Sequence, residues 1–176
     1  MNQKIRQVAL KSALLAGVCC ILYSVSLTLL GENPFGRFKY MIAGIYALFF
    51  IGAMWHYRFK LNGGVLRGKE GVLMGLLINA FATTLYCIGI YVFLKFTGLG
   101  ESAMDLHVNM NLAILEKARI ATPEYMTDTV YSQTKDAIHS WDSFFLGSEQ
   151  IAFFMGAGFF NTILFSLMMS HKPQVK

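Results

Sequence analysis

Charge is scarce in this chain: Asp, Glu, Lys and Arg together make up 14% of its 176 residues, against about 25% in ordinary soluble domains. A soluble fold so poor in charge struggles to cover its own surface. Cysteine is scarce too. The three present, Cys19, Cys20 and Cys87, are an odd number inside apolar runs, which excludes a disulfide framework and gives no metal-ligand spacing. They read as small apolar packing residues. His56, His107, His139 and His171 each lack a second His or Cys at ligand spacing, so no metal site is expected. There is no nucleophile elbow. Gly63-Gly64 lacks the strand, the helix and the Lys-Ser/Thr of a phosphate-cradling loop. No catalytic residue and no cofactor site emerges, and the chain reads as a non-enzyme. Finally, no ionisable residue falls at the middle of any apolar run. Proton relays and ion-coupled pumps usually need one, so its absence argues against a coupled transporter.

What the chain has in abundance is hydrophobic sequence, 55% of its residues, arranged in long blocks rather than helical stripes. That is the pattern a bilayer imposes. The blocks run at about 8–30, 38–57, 71–96 and 150–170. The first, preceded by Lys4 and Arg6, has the outline of a secretory signal. It continues through Leu29 and Leu30, long enough to span, and is expected to be retained. Gly31-Glu32-Asn33-Pro34-Phe35-Gly36 reads as a turn. The second block ends in Trp55-His56-Tyr57-Arg58, rings and a cation suited to the headgroup layer. In the loop that follows, Asn62-Gly63-Gly64 permits a sharp reversal.

Residues 98–147 are polar, and a structureless loop that long is uncommon in a compact fold. Ala103, Leu106, Met110, Ala113 and Ile114 keep a three-to-four spacing, as do Met126, Val130, Thr134, Ala137, Ile138 and Trp141. The expected start of the second helix is Thr122-Pro123-Glu124: cap, proline, early carboxylate. Trp141-Asp142 and Glu149-Gln150 read as interfacial anchor and start of the last helix. The whole is an all-α fold of one domain, residues 1–176: a four-helix transmembrane bundle with an extracytoplasmic helical hairpin between helices 3 and 4.

Net charge is +5. With no basic, aromatic-interleaved soluble module present, this does not point to nucleic acid. The bases flank the apolar blocks instead. Four spans put both termini on one side, which carries Lys4, Arg6, Lys11, Arg58, Lys60, Arg67, Lys69, Lys172 and Lys176. The other carries Arg37, Lys39, Lys117, Arg119 and Lys135. Lysine and arginine concentrate on the cytoplasmic side, so both ends are expected there.

Three sets of residues are candidate sites. Asn79 and Asn161 are each expected roughly 12–14 Å deep from the same face, at about 1.5 Å per residue. An amide in hydrocarbon needs a partner, and a bond between the two would contribute about 0.6–2 kcal/mol. They read first as glue between helices, and second as the lining of a solute path with Thr83 and Thr84. Gly71, Gly75, Gly156 and Gly158 are candidate helix-packing positions, within the chain or between chains. Lys95 and Glu149 are a candidate ion pair at the outer interface.

Tyr57-Arg58, Gly63-Gly64-Val65-Leu66, Lys69-Glu70-Gly71 and Gly75-Leu76 resemble a membrane family of Bacteroidota, domain of unknown function 4199. In that family a helix ends in a Tyr-basic pair, a Gly-rich basic loop follows, and the next helix opens with spaced glycines. The likeness covers nearly the whole chain in architecture, and in residues runs from about His56 to Tyr91. It implies a bacterial inner-membrane setting and no particular chemistry. Two functional readings stand. One is a non-enzymatic membrane component that contacts lipid and docks with a second copy or another membrane protein through its glycine faces. The other is a small transporter or pore lined by Asn79 and Asn161.

Overall fold

The computed structural model describes residues 3–170, which hold helices and turns and no strand pairing into a sheet. Six α-helices follow in order: α1 Gln3–Leu29, α2 Lys39–His56, α3 Gly68–Phe96, α4 Gly98–Ala121, α5 Asp128–His139 and α6 Ser143–Met169. A π-helical turn, Tyr57–Leu61, extends α2. Four helical stretches are long and apolar enough to cross a membrane: Gln3–Leu29, Lys39–Leu61, Gly68–Phe96 and Ser143–Met169. They mark the chain as a membrane protein, because a helix satisfies its own backbone where no water can. The outward faces agree. Leu14, Leu22, Leu48, Phe81, Ile88, Phe160 and Leu167 are all exposed, a surface that suits hydrocarbon.

α3 is the central helix. It packs most extensively on α6 and α1 and also meets α2 and α4. Its buried residues form two adjacent rows of four-residue steps: Gly71, Gly75, Asn79, Thr83 and Cys87, beside Met74, Ile78, Ala82, Tyr86, Ile90 and Leu94. Such rows are the ridges along which helices interdigitate. At its C-terminal end α3 reverses into α4 through Thr97 alone. The Thr97 hydroxyl caps α4 by accepting from the Gly100 amide at 3.0 Å. A Cβ on Gly100 would strike the Phe93 carbonyl, so this reversal requires glycine. At the other end, Gly63 and Gly64 take φ of +59° and +84°, the left-handed region that glycine enters without steric cost.

Two helix starts differ from expectation. Thr122 closes α4 rather than opening α5: its hydroxyl and its amide both bond the Ala118 carbonyl, at 2.8 and 2.9 Å. Pro123 then lies in a turn, and α5 begins after Thr127, whose hydroxyl accepts from the Val130 amide. The last helix starts at Ser143 instead of near Gln150, because the Asp142 carboxylate caps it by accepting from Phe145 N at 2.7 Å. Glu149 and Gln150 therefore sit well inside α6. His171, Lys172 and Lys176, counted above in the charge balance, lie outside the described residues.

Candidate functional site

Near the middle of α3, polar groups join it to α2 and α6 at Asn79 and, about two turns further along, to α1 at Tyr86. Asn79, 2% exposed, donates its Nδ2 proton to the Met155 carbonyl of α6 at 3.1 Å. From α2, the Tyr46 hydroxyl lies 2.9 Å from the Asn79 carbonyl oxygen, 3.1 Å from Asn79 Oδ1 and 3.0 Å from Thr83 Oγ1. Thr83 Oγ1 is itself 3.2 Å from Oδ1. Two hydroxyl protons thus serve neighbouring acceptors with no donor left over. Next along, Tyr86 and Ser24 join α3 to α1 through hydroxyls 3.1 Å apart. The Phe154 ring of α6 packs edge-on against Tyr46 and Tyr86, with centroids 5.7 and 4.8 Å away. Buried amides and hydroxyls in hydrocarbon hold helices together when each finds a partner.

Asn79 and Asn161 do not bond each other. The Asn79 amide is committed to Tyr46, Thr83 and Met155, while Asn161 is half-buried and lies next to the buried seam position Thr162 rather than on it. What faces Asn79 is Gly158, where a Cβ would collide with the Asn79 amide. The antiparallel seam continues in four-residue steps. A Cβ at Gly75 would meet Thr162 at 2.7 Å, and one at Gly71 would meet Ser166 Oγ at 3.0 Å. Gly71, Gly75 and Gly158 are therefore packing positions inside the chain. Gly156 is exposed and faces open space, because it lies two residues from Gly158 and so on the opposite side of the helix. Gly17 against Leu85, and Gly89 against Ile21, make equally close approaches between α1 and α3. Sequence reading passed over them because neither has a second glycine at four-residue spacing.

Lys95 and Glu149 do not pair either. Lys95 Nζ donates to the Tyr91 hydroxyl one turn back, at 2.8 Å. Glu149 instead takes Lys39 of α2, at 3.4 Å. Lys39 stands at the edge of a cavity of about 590 Å³, which also involves Asn33, His107, Asn111, Trp141 and Glu149. This cup forms where the α1–α2 turn, the middle of α4 and the start of α6 converge.

The cup's chemistry centres on His107, 6% exposed. The Asn33 Oδ1 accepts from Phe35 N at 3.0 Å, which turns the Asn33 Nδ2 toward His107 Nδ1 at 3.1 Å. Asn111 Nδ2 stands 3.3 Å from Nε2, so both ring nitrogens face an amide donor. A second ring proton would therefore face an amide donor whichever nitrogen carried it. Burial pushes the imidazole below its usual range; Glu149 opposes that shift and Lys39 adds to it. The ring meets the Phe35 edge at 5.8 Å and tilts 30° to Trp141 at 5.7 Å. Trp141 stacks on Phe145, 5.1 Å away. Buried imidazole, amides, an aromatic stack and an ion pair can together bind a polar group. The sequence held one signal for this cup: Ala103, His107 and Asn111 recur every four residues beside the apolar stripe of α4.

At the opposite end, Arg58 donates from Nε to the Gly64 carbonyl at 2.9 Å and from its guanidinium to the Met169 carbonyl at 3.1 Å. It thereby ties the loop and the end of α6 to the end of α2. The Glu70 carboxylate accepts from Arg67 N at 3.0 Å and from the Tyr57 hydroxyl at 3.5 Å. Tyr57-Arg58, Gly64, Glu70, Gly71 and Gly75, the residues that carry the family resemblance, therefore do structural work at this end: a clamp, a capped helix and a close seam. No group of three His, Cys, Asp or Glu side chains suited to a metal occurs among the described residues.

Neither a curated protein nor a solved structure matches this chain. Over residues 11–171, nearly its full length, the sequence matches the family described as "Protein of unknown function (DUF4199)", and the chain belongs to that family.

Proposed function

We propose that the chain is a non-enzymatic accessory component of the bacterial inner membrane. In this reading it crosses the membrane four times, with both termini cytoplasmic and with α4 and α5 as an extracytoplasmic helical hairpin. The four spanning helices are the scaffold, and the cup around His107 is what the scaffold presents to a partner membrane protein on the outer side. The observation that carries the reading is how the polar groups are spent. At mid-span, Asn79, Tyr46, Thr83, Ser24 and Tyr86 bond one another or backbone, which leaves little for a moving solute. In the cup, by contrast, Trp141 and Asn111 are half-buried and Phe145 is 42% exposed. The docking surface expected from the glycines shifts accordingly. Gly71, Gly75 and Gly158 are used within the chain, so the outer cup replaces them.

A photo-reactive residue at Ile114, exposed on the rim of the cup, tests this in intact cells. The expected result is one discrete adduct that Trp141→Ala removes, together with no solute flux in liposomes above protein-free controls. Flux that Asn79→Leu alters would overturn the reading in favour of a pore. Absence of any adduct that depends on Trp141 would overturn it as well.

A further inference from the structure

At the end of the molecule opposite the cup, α1 and α2 enclose a second groove, of about 400 Å³, whose polar lining is Lys4, Gln7, Lys11, Ser12 and His56. We infer that this groove is a binding site for the phosphate headgroup of an anionic phospholipid. It is independent of the reading of the outer cup.

The α1 contribution follows from helix periodicity. Lys4, Gln7, Val8, Lys11 and Ser12 stand at steps of three, four, seven and eight residues, which places them on one face. Lys4 and Lys11 are two turns apart, roughly 10 Å along the axis. Two ammonium groups therefore line a single face at two depths, and the deeper one reaches outward on its long stem. Gln7 and Ser12 add donors beside them. Across the groove, α2 supplies His56 and then Gly52, where a Cβ would meet nothing within 4 Å. The absence of a side chain at Gly52 keeps the space open.

Val8, Ala53 and Leu61 add an apolar lining among these polar groups. Cations and apolar side chains in one groove match a molecule that is anionic at one end and oily at the other. A soluble phosphate would gain nothing from the apolar wall. Arg58, Lys60, Arg67 and Lys69 crowd the same end of the bundle, and a basic pocket between spanning helices there is the arrangement that holds acidic headgroups.

The test is native mass spectrometry of the full-length protein released from nanodiscs of equal phosphatidylglycerol and phosphatidylcholine. One phosphatidylglycerol should be retained in preference to phosphatidylcholine. Lys4→Gln with Lys11→Gln should cut that retention by roughly tenfold or more, from two lost surface lysines. Gly52→Leu should cut it with every charge kept. Lys60→Gln, whose ammonium lies over the Trp55 ring outside the groove, should leave it unchanged. All four substituted positions are exposed, so folding is expected to survive and is checked by the melting temperature. Equal retention of the two lipids would overturn the proposal. So would a double variant indistinguishable from Lys60→Gln, or an unaffected Gly52→Leu. Free glycerol 3-phosphate displacing the lipid at equal concentration would overturn the lipid assignment in favour of a soluble phosphate ligand.

Discussion

Two buried carboxamides, Asn79 at mid-span and Gln150 toward the cup, sit on the same pair of helices in opposite circumstances. Asn79 has partners on its nitrogen and its oxygen, from three other side-chain or backbone groups. Gln150 is 0% exposed, and neither its Nε2 nor its Oε1 has a hydrogen-bond partner. An unpaired buried amide costs about 1–3 kcal/mol, whereas a paired one is mildly favourable. The same functional group therefore stabilises one level of the bundle and weakens another. The level of Gln150 is also where Glu149, the residue before it, joins the cup. Mid-span is stitched for stability; the cup end keeps in Gln150 an amide that the chain does not use on itself.

The strongest way to break this contrast is Gly158→Val. Its Cβ would drive into the Asn79 amide and undo the seam. A loss of about 3 kcal/mol, the upper range for overpacking a filled core, is expected in SDS titration of the detergent-solubilised protein. Tolerance of Val at 158 would mean that α3 and α6 do not meet in this register. Asn79→Leu comes next. It removes the bond to Met155 and one acceptor of Tyr46 and Thr83, for an expected loss of about 1–2 kcal/mol. Gln150→Leu should have the opposite sign, a gain of about 1 kcal/mol, since an apolar side chain of similar size removes the unpaired amide. If the two Leu variants shift stability in the same direction, the contrast fails.

Hydropathy and helix length made the four spans legible, because lipid demands long apolar helices whatever their neighbours are. The hairpin's two helices followed from spacing. The start of α5 was misplaced at Thr122 because a Thr-Pro-Glu run closes one helix as readily as it opens the next, and only the bond to Ala118 decides. Asn79 stood out as an amide in an apolar block, with Thr83 beside it, but its partners on other helices did not. Tyr46 and Met155 lie on two other stretches of the chain, and a tyrosine in a span looks like any large apolar residue. The cup was hidden for a related reason. Asn33 belongs to a turn, His107 to a polar helix and Trp141 to an interface, and each has an ordinary local explanation. Their convergence is a tertiary fact that periodicity does not encode.

Acid should act on the cup end and spare mid-span, where Asn79 is bonded to hydroxyls and a backbone carbonyl. His107 is held neutral in the fold, below its unfolded pKa of about 6.5. Below that pH the unfolded chain takes up a proton that the folded ring resists, so stability present above about pH 6.5 declines as pH falls and is fully lost below the folded pKa. Trp141, stacked beside the ring, reports it. With Trp55→Phe removing the other indole, fluorescence should change with acid in the His107 protein and stay flat in His107→Gln. A flat profile in both would mean that the ring is not confined between amide donors.

The smallest effect discriminates between two assignments of one carboxylate. Glu149 pairs with Lys39 across 3.4 Å, with the Lys39 side chain 22% and the Glu149 side chain 39% exposed. Exposed pairs of this kind contribute well under about 1 kcal/mol, so single substitutions are uninformative and the coupling must be isolated. A double-mutant cycle of Lys39→Met with Glu149→Gln should give about 0.5 kcal/mol of coupling, while the cycle of Lys95→Met with Glu149→Gln should give none. The expectation rests on geometry: Lys95 already donates to Tyr91, on its own helix, whereas Lys39 and Glu149 bridge α2 and α6 at the rim of the cup. Coupling confined to the Lys95 cycle would turn Glu149 toward α3, open the cup on its α2 side and remove the charge that partly offsets the burial of His107.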